Sequence, residues 1–184
     1  MRVSACVLGV SLGVVQVLVR VQDTRAIGND HTCAANEDGT MTCWGSNNAG
    51  QTGVTASEYD LSKTPLSQTD GYQIRQISVG PQDTCGIFYN TGTGDLTDTQ
   101  LKCWGQNFGG FGYPDADLQP WSGSLAAIDV ETCSGVSCTV PKVQQVSVGA
   151  NHICVLNDQQ EVKCWGKNAF GQLGYGDRLY RGGE

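Results

Sequence analysis

Residues 140–177 read VPKVQQVSVGANHICVLNDQQEVKCWGKNAFGQLGYGD. Two short runs rich in Val, Ile and Cys flank a polar turn, Asn157-Asp158-Gln159-Gln160, and a Gly-rich tail closes the stretch. Short apolar runs bounded by turn formers predict β-strands. The stretch is one of three. Its Val148-Gly149-Ala150-Asn151-His152-Ile153-Cys154 has counterparts in Ile27-Gly28-Asn29-Asp30-His31-Thr32-Cys33 and Val79-Gly80-Pro81-Gln82-Asp83-Thr84-Cys85. Each copy then reaches a Cys-Trp-Gly step, at Cys43-Trp44-Gly45, Cys103-Trp104-Gly105 and Cys164-Trp165-Gly166, with Asn two residues later at Asn47, Asn107 and Asn168. A Gly-rich tail follows in every copy, one residue shorter in the middle one. Trp44, Trp104 and Trp165 lie 60 and 61 residues apart. A repeat of this length, made of strands and Gly turns, predicts a propeller or solenoid.

Inside the first copy, Asn36-Glu37-Asp38-Gly39 lies between the two strand runs, and Asp-Gly is a strong hairpin signal. Folding about it sets Cys33 opposite Cys43 and Ala35 opposite Met41, on one face of the pair. The same folding pairs Cys154 with Cys164, and Cys85 with Cys103 across a hairpin lengthened by the polar run Asn90–Gln100. Cys133 and Cys138 form a fourth close pair, and Cys6 is left over. Nine cysteines in this pattern suggest disulfides and an oxidising compartment. Free buried thiols and zinc are the competing readings. Zinc is poorly served, because the Cys133–Cys138 span has no second knuckle and the chain has only two histidines.

The sequence Gly-x4-Cys, a hairpin, then Cys-Trp-Gly-x-Asn and a Gly-rich tail resembles the regulator of chromosome condensation repeat family, in its cysteine-bearing variant from bacterial and extracellular members. The resemblance covers residues 21–184 apart from two inserts, and residues 140–177 carry it best. It implies an all-β fold of four-stranded antiparallel blades set in a ring that is typically seven-bladed. Three repeats give a partial propeller of about three blades. On this reading the chain is a fragment, or an arc whose missing blades come from a longer chain or another one. The repeat core would comprise Trp44, Gly45, Asn47, Trp104, Gly105, Asn107, Trp165, Gly166 and Asn168.

The layout expected is a leader or leftover strand over 1–26, then an incomplete propeller over 27–184. Its repeats fall near 27–53, 72–113 and 140–177. Met1–Val19 is almost wholly apolar after one Arg, too short for a comfortable membrane span and suited to a secretory signal. Removing it would leave eight cysteines. The insert 114–139 holds Trp121 and the Cys133–Cys138 pair, and reads either as a stapled recognition loop or as an ornamented connection. Residues 55–71 read as a solvated loop.

The formal net charge is −7, which argues against nucleic-acid binding. No Gly-x-Ser-x-Gly elbow, phosphate loop or His-Glu-x-x-His motif is present. His31 and His152 hold matched repeat positions, where Asp83 replaces them in the middle copy, so a structural role fits them better than catalysis. Asp95 and Asp98 could hold calcium, though no periodic calcium motif is present. The other scattered acidic residues read as solvated charge rather than a glycosidase pair. The repeated Trp read as core rather than as a stacking platform. No catalytic residue, metal or cofactor is expected. The function expected is a non-enzymatic, secreted or surface interaction module that binds a protein, or a surface glycan. The alternative is a guanine-nucleotide exchange factor for a small GTPase, in the cytoplasm or nucleus, and a polysaccharide hydrolase is a third reading.

Overall fold

In the computed structural model, the described residues are 25–36, 38–54, 59–61, 65–66, 71–93, 97–106, 118–119, 132–134, 137–139 and 141–182. The apolar leader, Cys6, Asp95, Asn107 and Trp121 lie outside them, and with them the expectations placed there. The first sheet joins β1 (Arg25–Ile27), β2 (His31–Ala35), β3 (Met41–Ser46), β4 (Tyr59–Asp60) and β5 (Pro65–Leu66), with β4 and β5 both on β3. The second is β6 (Tyr72–Val79), β7 (Asp83–Asn90), β8 (Thr99–Gln106) and β9 (Leu118–Gln119), in that order. A two-stranded hairpin of β10 (Thr132–Ser134) and β11 (Ser137–Thr139) stands as its own sheet. The third blade is β12 (Val143–Val148), β13 (His152–Asn157) and β14 (Val162–Gly166). All pairings are antiparallel. This is an all-β partial propeller of three blades. The outer edge repeats too: Gly45 pairs with Asp60, Gly105 with Gln119 and Gly166 with Arg181. The middle step is one residue shorter, as its shortened Gly-rich tail requires.

Arg25 and Ala26, at the end of the stretch read as a leader or leftover strand, form the first ladder opposite Ala34 and Cys33. The connections depart from the sequence reading: the 114–139 insert, read as a loop, contains β9, β10 and β11. The 55–71 connection contains β4 and β5, because β3 still has backbone groups to pair on its outer edge.

Burial along the strands shows how the blades stack. In β2 His31 and Cys33, on one face, are buried, and in β13 the opposite set, Ile153, Val155 and Asn157. In β7 every residue from Asp83 to Phe88 is buried. Side chains alternate between sheet faces. The first blade therefore buries one face, the third buries the other, and the middle blade is covered on both. One seam gathers Cys33, Met41 and Cys43 against Ile74, Ile77, Phe88 and Trp104. The next gathers Cys85, Ile87, Leu101 and Cys103 against Val143, Val146, Ile153 and Val155. Each seam thus packs one blade's cysteine face on the first strand of the next. Across the second seam the Gln76 amide both donates to the Val146 carbonyl and accepts from its N–H, at 3.1 and 3.2 Å.

The conserved step geometry explains the Cys-Trp-Gly glycine. Gly45, Gly105 and Gly166 have φ of 111°, 98° and 111°. A Cβ on Gly105 or Gly166 would stand 2.5 Å from the carbonyl oxygen of Gln82 or Asn151. Only glycine tolerates both the dihedral and the approach.

The stacking gives a directional prediction. Leu101 is 1 % exposed in a seam, whereas Val162, at the same repeat position, is 63 % exposed. Leu101→Ala is expected to cost about 2–5 kcal/mol in urea unfolding. Val162→Ala is expected to stay within about 0.5 kcal/mol.

Candidate functional site

The cysteine pairs come first. Cys33–Cys43, Cys85–Cys103 and Cys154–Cys164 are disulfides, each with Cα atoms 4.1 Å apart and directly opposed in the ladder. That is the close spacing of the non-hydrogen-bonded pair of an antiparallel ladder. Cys133 and Cys138 are likewise partners in the backbone register of β10 and β11. Their side chains lie outside the described residues.

The repeated tryptophan and its neighbours build a polar line through the first seam. Trp104 is fully buried, and its indole N–H donates to the Gln51 carbonyl at 3.1 Å. The Thr84 hydroxyl donates to the same carbonyl at 2.9 Å. His31 Nε2 lies 2.9 Å from that hydroxyl. Because the hydroxyl proton is committed to Gln51, the hydroxyl accepts from His31, which fixes the Nε2–H tautomer. His31 Nδ1 has no partner. Burial pushes the imidazole pKa down to about 4, with Asp30 opposing weakly. This histidine is a neutral structural donor, remote from any acid–base task at neutral pH.

The second seam has the same frame with different residues. Asp83 takes the histidine position and Ile153 the threonine position, so the hydroxyl is missing. Asp83 is buried, and its Oδ1 finds no partner. Burial raises its pKa to about 7, against two backbone hydrogen bonds that lower it. Trp165 Nε1 is buried with no acceptor among the described residues. His152, in the third blade, is only half-buried.

Two of the buried asparagines, Asn47 and Asn168, shape the Gly-rich tails. Asn47 Oδ1 accepts from Thr52 N–H at 3.1 Å, and Asn168 Oδ1 from Leu173 N–H at 3.0 Å. Asn168 also donates to Asp177, whose carboxyl is held down to about 2, chiefly by the Arg181 guanidinium. Of the expected repeat core, Trp104 thus sits in a seam and Asn47 and Asn168 in the tails, while Asn107 lies outside the described residues. Among the described residues no three His, Cys, Asp or Glu side chains cluster to hold a metal.

The opposite end of the blades is built from hairpin turns. Asn36, Asn90 and Asn157 begin them. Asp38 bonds Thr40, and Gln73 at the start of β6 donates to the Asp38 carbonyl. Asp98 accepts from Lys142, Asn90 and Tyr72, which together hold its carboxyl below the usual range, Lys142 foremost. Thr99 donates to the Val143 carbonyl, so the base of the lengthened hairpin is tied to the start of β12. β11 ends at Thr139, three residues before Lys142. Three residues reach at most about 11 Å, so the appended β10–β11 hairpin emerges beside that turn. One end of the molecule thus collects the turns, the base of the lengthened hairpin and the point where β11 rejoins the blades, while β9 of the insert pairs at the Cys-Trp-Gly end. Its described turn carboxylates are Asp38, Asp98, Asp158 and Glu161. The sequence named several of these residues without showing that they share an end.

Comparison with known proteins follows the same lines. Residues 26–51 and 143–172 match the model of the Regulator of chromosome condensation (RCC1) repeat. The Ultraviolet-B receptor UVR8 of Arabidopsis thaliana is 27 % identical over 151 residues, covering 82 % of this chain and 30 % of UVR8. Protein RCC2 of Homo sapiens is 27 % identical over 161 residues, covering 83 % and 31 %. The chain spans about a third of the length of these relatives. Among solved structures, human WBSCR16 superposes with a TM-score of 0.66 at 22 % identity, over 85 % of this chain and 38 % of that one. Prp20p of Saccharomyces cerevisiae superposes with a TM-score of 0.58 at 23 % identity, over 83 % and 34 %. These two likenesses establish the fold. The chain carries regulator of chromosome condensation repeats.

Two predictions test the seams. Thr84→Val leaves the His31 N–H unsatisfied and is expected to cost about 1–3 kcal/mol, most of it recovered by Thr84→Ser. Folded Asp83 holds its proton more tightly than the unfolded chain, so its contribution is complete below pH 3.8 and is lost as the pH rises through about 7. His31 acts in the reverse sense: its contribution is complete above pH 6.5 and is lost as the pH falls through about 4. Asp83→Asn keeps the shape without ionising. It is expected to gain stability over wild type by a few kcal/mol on going from about pH 5 to about pH 8, read by denaturant titration.

Proposed function

We propose that this chain of regulator of chromosome condensation repeats is a non-enzymatic protein-interaction module of the cell surface or exterior. Its contact surface is the hairpin end. The observation that carries the reading is the convergence there of the turns, the lengthened β7–β8 hairpin and the appended β10–β11 hairpin on a disulfide-braced stack. Loops held on a rigid scaffold are where binding residues concentrate. The buried titratable groups His31 and Asp83 belong to the seams. Trp104 is buried in a seam and Trp165 packs partly against one, which speaks against a sugar-stacking row. Three disulfides favour an oxidising compartment over the nucleus or cytoplasm.

Asp38 and Asp158 are exposed at the turn tips. Together with the net charge of −7 they favour a basic protein partner. A lysine-rich peptide is expected to bind in a salt-dependent way and a glutamate-rich peptide of equal length not to bind. Charge reversal by Asp38→Lys with Asp158→Lys is expected to weaken binding at least tenfold, or about 1.4 kcal/mol. Binding unchanged by the reversal would refute the surface. For compartment, protein recovered from its own host is expected to start at or before Arg25, without the apolar leader, and to carry these three bonds oxidised. An intact leader with free thiols would refute the surface placement.

A further inference from the structure

The appended hairpin is built unlike the blades. β10 and β11 make a ladder of three residue pairs, Thr132 with Thr139, Cys133 with Cys138 and Ser134 with Ser137. Among the described strands they pair only with each other. Residues 132–139 read TCSGVSCT, with Val136 the one large apolar residue besides the cysteines. A two-stranded hairpin of this kind is marginally stable by itself in water. Two residues separate Ser134 from Ser137, so that pair closes the loop with its hydrogen bonds, and the next pair out is of the non-hydrogen-bonded kind. Cys133 and Cys138 thus hold the same ladder relation as the three bonded pairs, whose Cα atoms are 4.1 Å apart. The blade bonds are shielded: Cys33, Cys43, Cys85 and Cys103 are at most 1 % exposed and packed in seams. A thiolate must reach a sulfur to exchange with it. Reaching Cys85–Cys103 requires β12 to leave the second seam, whereas opening three residue pairs gives access to Cys133 and Cys138.

We propose that Cys133 and Cys138 form a fourth disulfide, and that its reduction switches off binding at the hairpin end, a regulation that rests on the contact surface proposed above. The reductant is a dithiol. One of its thiolates attacks a sulfur of the pair and displaces the other as a thiolate, which takes up a proton. Its second thiolate then breaks the mixed disulfide, freeing the first cysteine, which is protonated in turn. The reductant leaves as its own disulfide, and two electrons have passed to Cys133 and Cys138. Without the cross-link the three-pair ladder comes apart, and an ordered hairpin becomes a loose loop. Asp129 and Glu131 directly precede Thr132 in the sequence, so the order of the hairpin also governs where that acidic charge enters the surface. The blades keep their seams and their buried bonds. Reduction therefore acts on binding and leaves the stack folded.

The test uses the full chain, its free thiols first blocked with iodoacetamide. Graded dithiothreitol under native conditions, followed by a second alkylating label and peptide mass spectrometry, reads each pair separately. Cys133 and Cys138 are expected to take the second label at a reductant concentration at least tenfold below that needed for Cys33–Cys43 or Cys85–Cys103. Protein reduced to that point is expected to bind the lysine-rich peptide at least tenfold more weakly, with circular dichroism unchanged. Cys133→Ser with Cys138→Ser removes this bond alone. It is expected to bind as weakly with or without reductant, and to keep the thermal unfolding of wild type. Cysteines 133 and 138 found free at the outset, or reduced only together with the seam pairs, would overturn the switch. So would peptide binding that responds to Asp38→Lys with Asp158→Lys but is untouched by reduction and by the serine pair, and in that case the contact surface stands. Oxidised protein that does not bind the peptide refutes the surface, and the switch with it.

Discussion

The cysteine face of each blade is kept from water only by the first strand of the blade that follows. Cys33 and Cys43 are covered by Ile74 and Ile77, and Cys85 and Cys103 by Val143 and Val146. A four-stranded sheet has two faces, and a solitary blade could cover neither. Repeat proteins are held by such neighbour contacts rather than by one central core. Here the hydrophobic term comes in two slabs between blades. The disulfides lie inside the hairpins and brace each sheet, while the seams decide how sheets stack.

Polar groups in the seams set register where aliphatic packing would permit sliding. The line from His31 through Thr84 to the Gln51 carbonyl joins the start of one blade's second strand to its neighbour, with Trp104 converging on the same oxygen. An unmet buried donor or acceptor costs more than a met one contributes, so this line penalises misalignment. The second seam lacks the hydroxyl, and Asp83 lies in it with an unpartnered oxygen. The two seams therefore respond oppositely to acid, although they descend from one repeated pattern. Lys102 shows how far the middle blade is enclosed: it is 1 % exposed and lies between the rings of Tyr72 and Phe88 at 5.9 and 5.7 Å.

The division of labour between the two ends follows from the same construction. Gly-rich tails and Cys-Trp-Gly steps gather at one end, where close approach between backbones leaves little room for variation. Hairpin turns gather at the other, where chain can be added without disturbing a seam. The lengthened turn of the middle blade and the β10–β11 appendage both use that freedom. Fold-level kinship alone says little about what is bound, and the functional reading therefore rests on this end and its charge.

The repeat, the hairpins, the opposed cysteines and the glycine after each tryptophan were determined by sequence alone. Each depends on neighbours close along the chain or on a period that recurs three times. Even the one-residue deficit of the middle tail reappears as a one-residue shorter step to the outer strand. Two things were not legible. The partners of His31, Thr84 and Trp104 sit 53, 33 and 53 residues away, and no local pattern encodes them. Nor could the sequence show that Met41, Leu101 and Val162, alike by position, differ between burial and exposure. Burial is a property of what stands opposite, and only the stacking of the blades decides that.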